Sequence, residues 1–334
     1  MSRPALTVLT KPILSAPTRA YRSARRALRP FVKPGVPVPA ASPYPGHYAL
    51  TRSVVEGLRE IRADFNFNPA SFADLARVVY APANEALRQA ISLKRRGDVD
   101  YLVAGPVNAL FSDECDGILK SSEIDRLVVA SDWVVDLYDD APELKRKSQV
   151  CPCGVDPVFW TPSSARKDAA VVYWKSGTVE FCERVEAAVA AAGWTPIRVA
   201  SAAGDFSKFT AEQFREQLDR AAVAIFLSSF ETQGIALAEA WAMDVPTIVW
   251  NPGGRAEWRG RSFASVTSCP YLTSATGVDW RTFDELDSAL TEVLANRGRF
   301  YPREWVLKHM TDAICARQLH RLIFEGASPF AAAG

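Results

Sequence analysis

No apolar run in the 334-residue chain approaches the roughly 18 residues a membrane-crossing helix requires, the longest β-like runs being short ones such as Val223–Leu227. No membrane-spanning segment is therefore expected. The N-terminus also lacks the apolar core of a signal peptide. Histidine is scarce, with His47, His309 and His320 only, and none lies near Cys151-Pro152-Cys153. A structural zinc wants four ligands, so this Cys-x-Cys predicts no metal site. The six cysteines are scattered without a secretory signal, which suits a reduced, cytoplasmic setting. Low-complexity blocks are missing too, and 48% hydrophobic with 23% charged residues is ordinary for a globular chain long enough for two domains.

The most uneven absence is that of acid: the first acidic residue is Glu56. Residues 1–55 hold nine basic side chains, leaving 30 basic against 38 acidic for the remainder, so the net charge of +1 hides two opposite halves. Residues 1–42 read as a basic tail and Pro-rich linker. Within it, Ala16–Leu28 is spaced to form a short cationic helix, with Arg22, Arg25, Arg26 and Arg29 along one side, stopped by Pro30. Either a solvated leader or a segment docking residues 1–33 on anionic lipid headgroups fits this composition. No nucleic acid is expected as a partner.

From His47 onward, helical periodicity alternates with short β-branched runs. Helices are expected near Tyr48–Arg59 and Ala83–Arg96, and strands at Tyr101–Ala104 and Leu127–Ala130, with a helix opening at Ser131. After a turn-rich stretch, Pro152–Ser164, the alternation restarts with a strand at Ala169–Trp174 and a helix over Thr178–Ala192. Thr210 with Gln213, and Thr282 with Glu285, have capping-box spacing, and Pro302–Phe324 reads as one long closing helix. Strand and helix in alternation predict α/β architecture with two Rossmann-like domains, residues 43–152 and 165–307, the end of the last helix (about 308–325) returning to the first.

Ala222–Trp250 is the segment richest in chemistry: a buried strand, the polar loop Ser228–Gln233, a helix opening at Gly234, and the strand Thr247–Trp250. A helix N-terminus presents unpaired N–H groups and a partial positive charge, so such a loop can receive a diphosphate. Glu231 in the loop and Glu239 inside the helix can both face the ligand, where carboxylates accept hydrogen bonds from sugar and ribose hydroxyls. By spacing alone the stronger reading is a surface helix residue at Glu239 and a helix-dipole partner at Glu231.

The run Ser229-Phe230-Glu231-Thr232-Gln233-Gly234-Ile235-Ala236-Leu237-Ala238-Glu239, continuing to Pro246, resembles the donor-site signature of the retaining group 1, glycogen-synthase-like glycosyltransferases of GT-B fold. Two distant segments agree in order and spacing. Ile124–Trp133 resembles that family's last N-domain strand and serine-capped helix, and Val150–Pro162 its interdomain linker. Arg303–Leu307 resembles its closing segment. The resemblance spans roughly residues 44–325 and implies a nucleotide-diphosphate sugar as donor. It implies that Glu231 contacts the transferred sugar, that Glu239 binds the ribose, and that Ser229, Phe230, Thr232, Gln233, Gly234 and Ile235 line the donor. Lys175, after the first C-domain strand, would neutralise the diphosphate together with the helix N-terminus. Gly46, His47 and Asn108 are the candidates to contact acceptor or sugar.

Two positions depart from the family pattern. Glu180 stands where a second basic residue is usual, and Asp244 where a helix-ending glycine is usual. The expected activity is hexose transfer with retention to a glycan or glycolipid acceptor, in surface polysaccharide synthesis, by a cytoplasmic protein peripheral to the membrane. Neither metal nor other cofactor is required by that scheme. A catalytically weak sugar-binding or scaffolding subunit and a nucleotide-sugar epimerase are the competing readings.

Overall fold

The structure, a computed structural model, describes residues 4–32, 42–45, 47–163, 167–200, 210–264 and 267–326. The chain divides into two compact units, Met1–Cys151 with Ala316–Gly334, and Pro152–Cys315. Gly46 lies outside the described residues.

The first unit starts earlier than the sequence reading has it. Leu6–Val8 forms β1, fully buried, between β2 (Phe65–Phe67) and β3 (Val78–Ala81). Residues 6–8 are therefore a sheet strand and not part of a tail. The run Leu6-Thr7-Val8-Leu9 is short and sits among basic residues, so composition masked it, yet its pairing is extensive. Thr7 Oγ1 accepts from the Ala76 N–H at 2.9 Å, and Asn68 Oδ1 accepts from the Thr10 N–H at 2.8 Å. After β1 come α1 (Ala16–Val32) and α2 (Tyr48–Glu60), the latter leading into β2. α1 continues two residues past Pro30.

The rest of the unit follows the expected alternation. β3 leads to α3 (Asn84–Arg95) and β4 (Tyr101–Ala104), then to α4 (Glu114–Gly117), a single turn whose Cys115, Asp116 and Gly117 all have positive φ. β5 (Arg126–Val129), α5 (Asp132–Asp136), α6 (Pro142–Lys147) and β6 (Ser148–Val150) complete it. All six strands are parallel, in the order β2-β1-β3-β4-β5-β6.

The second unit is also parallel: β7 (Ala169–Trp174), α7 (Val179–Ala191), β8 (Thr195–Ala200), α8 (Ala211–Arg220), β9 (Ala221–Leu227), α9 (Ile235–Ala242) and β10 (Thr247–Trp250). An antiparallel hairpin, β11 (Arg255–Trp258) and β12 (Arg261–Ala264), precedes β13 (Gly277–Trp280) and α10 (Phe283–Ala295). The sheet order is β13-β10-β9-β7-β8. β9, Ala-Ala-Val-Ala-Ile-Phe-Leu, is buried along its whole length, as a central parallel strand covered on both faces must be. Val223, Ile225 and Leu227 join the cluster of α7 and α10 through Val185 and Leu290, while Ala224 and Phe226 join that of α8 and α9 through Leu218 and Trp241.

The single closing helix expected at Pro302–Phe324 is two: α11 (Pro302–His309) and α12 (Asp312–Gly326). Val155 causes the break. Its N–H donates to Met310 O at 3.0 Å and its carbonyl accepts from the Asp312 N–H at 3.0 Å, so peptide groups at the break bond to Val155. Gly154 permits this, because a Cβ there would sit 2.4 Å from the Thr311 carbonyl carbon and oxygen. The second unit thus begins at Pro152 instead of 165, with Val155 and Trp160 in its core.

Arg303 fastens the same linker. Its guanidinium donates to Trp160 O at 2.7 Å, to Pro157 O at 3.0 Å and to Ala242 O at the end of α9. Arg303→Ala, which leaves these carbonyls without their charged donor, is expected to cost about 2–3 kcal/mol in urea unfolding. A change under about 0.5 kcal/mol would show the staple to be idle.

Candidate donor site

The second sheet's order makes β7 and β9 neighbours from which the chain departs in opposite directions, β7 to β8 on one side and β9 to β10 on the other. In doubly wound sheets ligands settle beyond the carboxyl ends at this switch point. Here both strands stop level, Trp174 opposite Leu227. The N–H groups of Lys175 and Ser176 both donate to Leu227 O, at 3.0 and 2.9 Å, so the two loops leave the sheet side by side.

That register brings together residues 56 positions apart: Lys175 Nζ lies 2.7 Å from Glu231 Oε1. The Ser228 hydroxyl also lies 3.1 Å from that oxygen and donates to Phe230 O at 2.8 Å, and the Glu231 N–H donates to Thr267 O at 3.2 Å. Ser176 and Ser229 hydroxyls face each other at 3.4 Å. Glu231 is thus held from both its side chain and its backbone.

Gly234 caps α9 with φ 76° and ψ 63°, a left-handed conformation that disfavours any Cβ. A Cβ there would meet Leu237 Cδ1 at 2.5 Å. The turn aims the first turn of α9 at the loop. Glu239, farther along α9, is half-buried. Burial raises the pKa of the Tyr173 phenol most, and the charges of Glu231 and then Glu239 raise it further. Both carboxylates therefore lie within electrostatic reach of one ring.

Not every residue of the signature faces this site. The Gln233 side chain is buried and makes a two-way bond with the Cys153 backbone, Nε2 to O at 2.6 Å and Oε1 from N at 3.0 Å. Its amide braces the loop against the linker. Phe230 packs edge-on against Phe263 at 5.2 Å and Trp258 at 6.2 Å, on the β11–β12 hairpin. Ser229, Thr232 and Ile235 are partly exposed beside them.

The electrostatic departures are local. Glu180 occupies the first turn of α7, where its own backbone N–H and then Thr178 hold its carboxyl below the usual range. It remains anionic at neutral pH. Arg255 is bound across the hairpin, Nε to Ser262 Oγ at 2.8 Å and a terminal nitrogen to Ser262 O at 3.0 Å. Asp244 does adopt the left-handed conformation, with φ 56°, and its carboxylate accepts from the Arg303 N–H at 3.3 Å.

In the first unit, His47 caps α2, its Nδ1 accepting from the Leu50 N–H at 3.5 Å. Asn108 is exposed in the loop after β4, beyond the cis Gly105–Pro106 bond. α2 leads directly into a parallel strand, so its start lies at the carboxyl edge of that unit's sheet, as does Asn108. Sequence reasoning missed Ser176, Tyr173, Thr267 and the hairpin, and named Ser228 only as the start of the loop. Only the hairpin had a local signal: Arg259-Gly260, both with positive φ, form its two-residue turn.

No protein-family model and no curated protein sequence matches the chain. Solved structures do. HepE of Anabaena, in complex with UDP and glucose, aligns with a TM-score of 0.56 at 10% identity, over 96% of this chain and 99% of that one. Sucrose-phosphate synthase of Thermosynechococcus elongatus aligns at 0.53 and 14% identity, over 99% and 100%. The lipopolysaccharide outer core galactosyltransferase WaaB aligns at 0.51 and 12% identity, over 96% and 99%. The fold is α/β, two parallel sheets with flanking helices, as in these glycosyltransferase structures of GT-B type.

Proposed function

We propose that the protein is a glycosyltransferase whose second unit holds a nucleotide-diphosphate sugar at the β7–β9 switch point. The observation that carries this reading is the placement of Lys175 on Glu231 beside the N-terminus of α9, with Glu239 in reach of the same Tyr173. Glu231 receives the sugar, Glu239 the ribose, and Lys175 with the α9 N-terminus the diphosphate. Ser229, Thr232, Gly234 and Ile235 line the pocket, and Phe230 is its aromatic wall. Gln233 acts by bracing. The fold's likeness to the UDP complex of HepE supports a nucleotide as ligand.

The reaction is hexose transfer with retention. The bond from the anomeric carbon to the diphosphate breaks, its electron pair leaving with the phosphate against Lys175, while the acceptor hydroxyl attacks from the same face and its proton passes to the departing diphosphate. The positive groups present supply electrostatic stabilisation without a metal. The first unit takes a glycan or lipid-linked acceptor at its carboxyl edge, through His47 and Asn108. A cytoplasmic, membrane-peripheral place in surface polysaccharide synthesis suits that acceptor. Anionic Glu180 favours one second reading, a subunit that binds donor but turns it over weakly.

A donor panel separates the readings. Nucleotide sugars are screened for a rise in melting temperature and for slow hydrolysis; binding without hydrolysis selects the weak subunit, and no binding at all sinks both. Glu239→Gln is expected to weaken the stabilising donor about tenfold or more, the loss of a charged hydrogen-bond acceptor. An unchanged Kd would remove Glu239 from the site.

A further inference from the structure

The positive charge before Glu56 is concentrated on a helix. α1 contains Arg19, Arg22, Arg25, Arg26 and Arg29 and no acidic residue. At 3.6 residues per turn these five positions share an arc of about 120°, and Pro17, Ala20, Tyr21, Ala24 and Leu28 share the opposite arc of about 100°. A buried helix would turn that second arc into the core. Here all five of its side chains are exposed, Tyr21 at 66% and Leu28 at 57%. A helix of this length whose described apolar positions are exposed has little to stabilise it in water, which points to a surface that completes it.

Its place in the chain is equally specific. The first sheet has its own switch point between β1 and β3, and α1 is inserted directly after β1. The chain leaves the sheet at the carboxyl end of β1 and reaches α2 at that same edge. α1 thus belongs to the connection that starts from the edge where such sheets bind ligands.

We propose that α1 is an interfacial helix that lays this edge of the first unit on an anionic bilayer. Ala20, Tyr21, Ala24 and Leu28 enter the headgroup–acyl boundary, and the arginines lie against lipid phosphates. A substrate with a lipid anchor would then be met where it resides; that last step rests on the transferase reading, whereas docking does not. Charge favours lipid over the other occupants: duplex nucleic acid would use the arginines and leave the apolar arc uncovered, and a second α1 would oppose like charges.

The test is flotation of the full chain with vesicles of phosphatidylcholine alone and of equimolar phosphatidylcholine and phosphatidylglycerol. Binding is expected to the mixed vesicles only, and to fall as salt rises. Neutralising Arg19 and Arg25 to Gln should weaken it about fivefold per arginine. Tyr21→Ser with Leu28→Ser should weaken it as well, at unchanged charge, and Tyr21→Trp should shift its emission to the blue when mixed vesicles are added. Melting temperature and donor binding should be unchanged in every variant. Equal binding to both vesicle types, binding insensitive to the Tyr21 and Leu28 changes, tight DNA binding that survives them, or a dimer that Leu28→Ser dissolves would each overturn the proposal. The donor panel on the same samples keeps the two claims apart: vesicle binding without donor binding sinks only the transferase reading, and the reverse sinks only docking.

Discussion

Glu231→Gln is expected to lower the rate of donor hydrolysis about 10²–10³-fold while leaving donor affinity within about threefold, the pattern of a group that acts mainly as charge develops. Glutamine keeps the size of the side chain and removes its charge. That charge is paired with Lys175 at 2.7 Å, so the ammonium loses its ionised acceptor. Lys175 is partly exposed and water can solvate its ammonium, so the fold should tolerate the change and the melting temperature should stay within a degree or so. Lys175→Met should also slow hydrolysis, and because the two act as a pair the double variant should be little worse than the worse single one. A Glu231→Gln protein with undiminished hydrolysis would reduce the ion pair to a surface contact.

The second large effect is on stability. Gly154→Ala places a methyl 2.4 Å from the Thr311 carbonyl and 2.5 Å from the Asp312 nitrogen. These are backbone atoms and cannot swing aside. Relief requires moving the linker at Val155 off residues 310–312, which breaks the bonds to Met310 and Asp312 that separate α11 from α12. Overpacking of this kind costs about 3 kcal/mol, and the two bonds about 1 kcal/mol each. A fall in melting temperature of several degrees is expected, with loss of donor binding as that unit loosens. Gly298→Ala is the control, since a Cβ there meets nothing within 4 Å. Equal melting temperatures for the two would show that the linker yields without cost.

Much of this fold was legible because local signals agree with tertiary need. Tyr101–Ala104, Ala169–Trp174 and Thr247–Trp250 form strands with the ends expected, each a short apolar run bounded by turn or helix signals. The Thr210–Gln213 capping box forms in both directions. Its counterpart fails, for the Thr282 side chain caps nothing and Glu285 accepts from the Arg281 N–H. The misses arise where distance along the chain decides. β1 is three residues long and gains its identity from neighbours at Phe65 and Val79, and the last helix breaks at peptide groups bonded to Val155.

The candidate site shows the same division. Lys175, Glu231 and Glu239 stand at readable places, after a strand, in a loop and on a helix. That Lys175 meets Glu231 depends on β7 and β9 being adjacent and level, which no local pattern states. Gln233 was legible as part of the loop, but its turn toward Cys153 was not, since that bond spans 80 residues. In the basic segment the helix at Ala16–Leu28 was legible and forms as α1, whereas the three-residue strand before it carries no periodicity of its own.

A crystal structure of the full chain with the nucleotide sugar that most raises its melting temperature tests the central claim most directly. The account predicts the diphosphate between Lys175 and the first turn of α9, the ribose hydroxyls on Glu239 and the sugar on Glu231. A nucleotide bound away from the carboxyl ends of β7 and β9, or one that leaves both glutamates untouched, would contradict it.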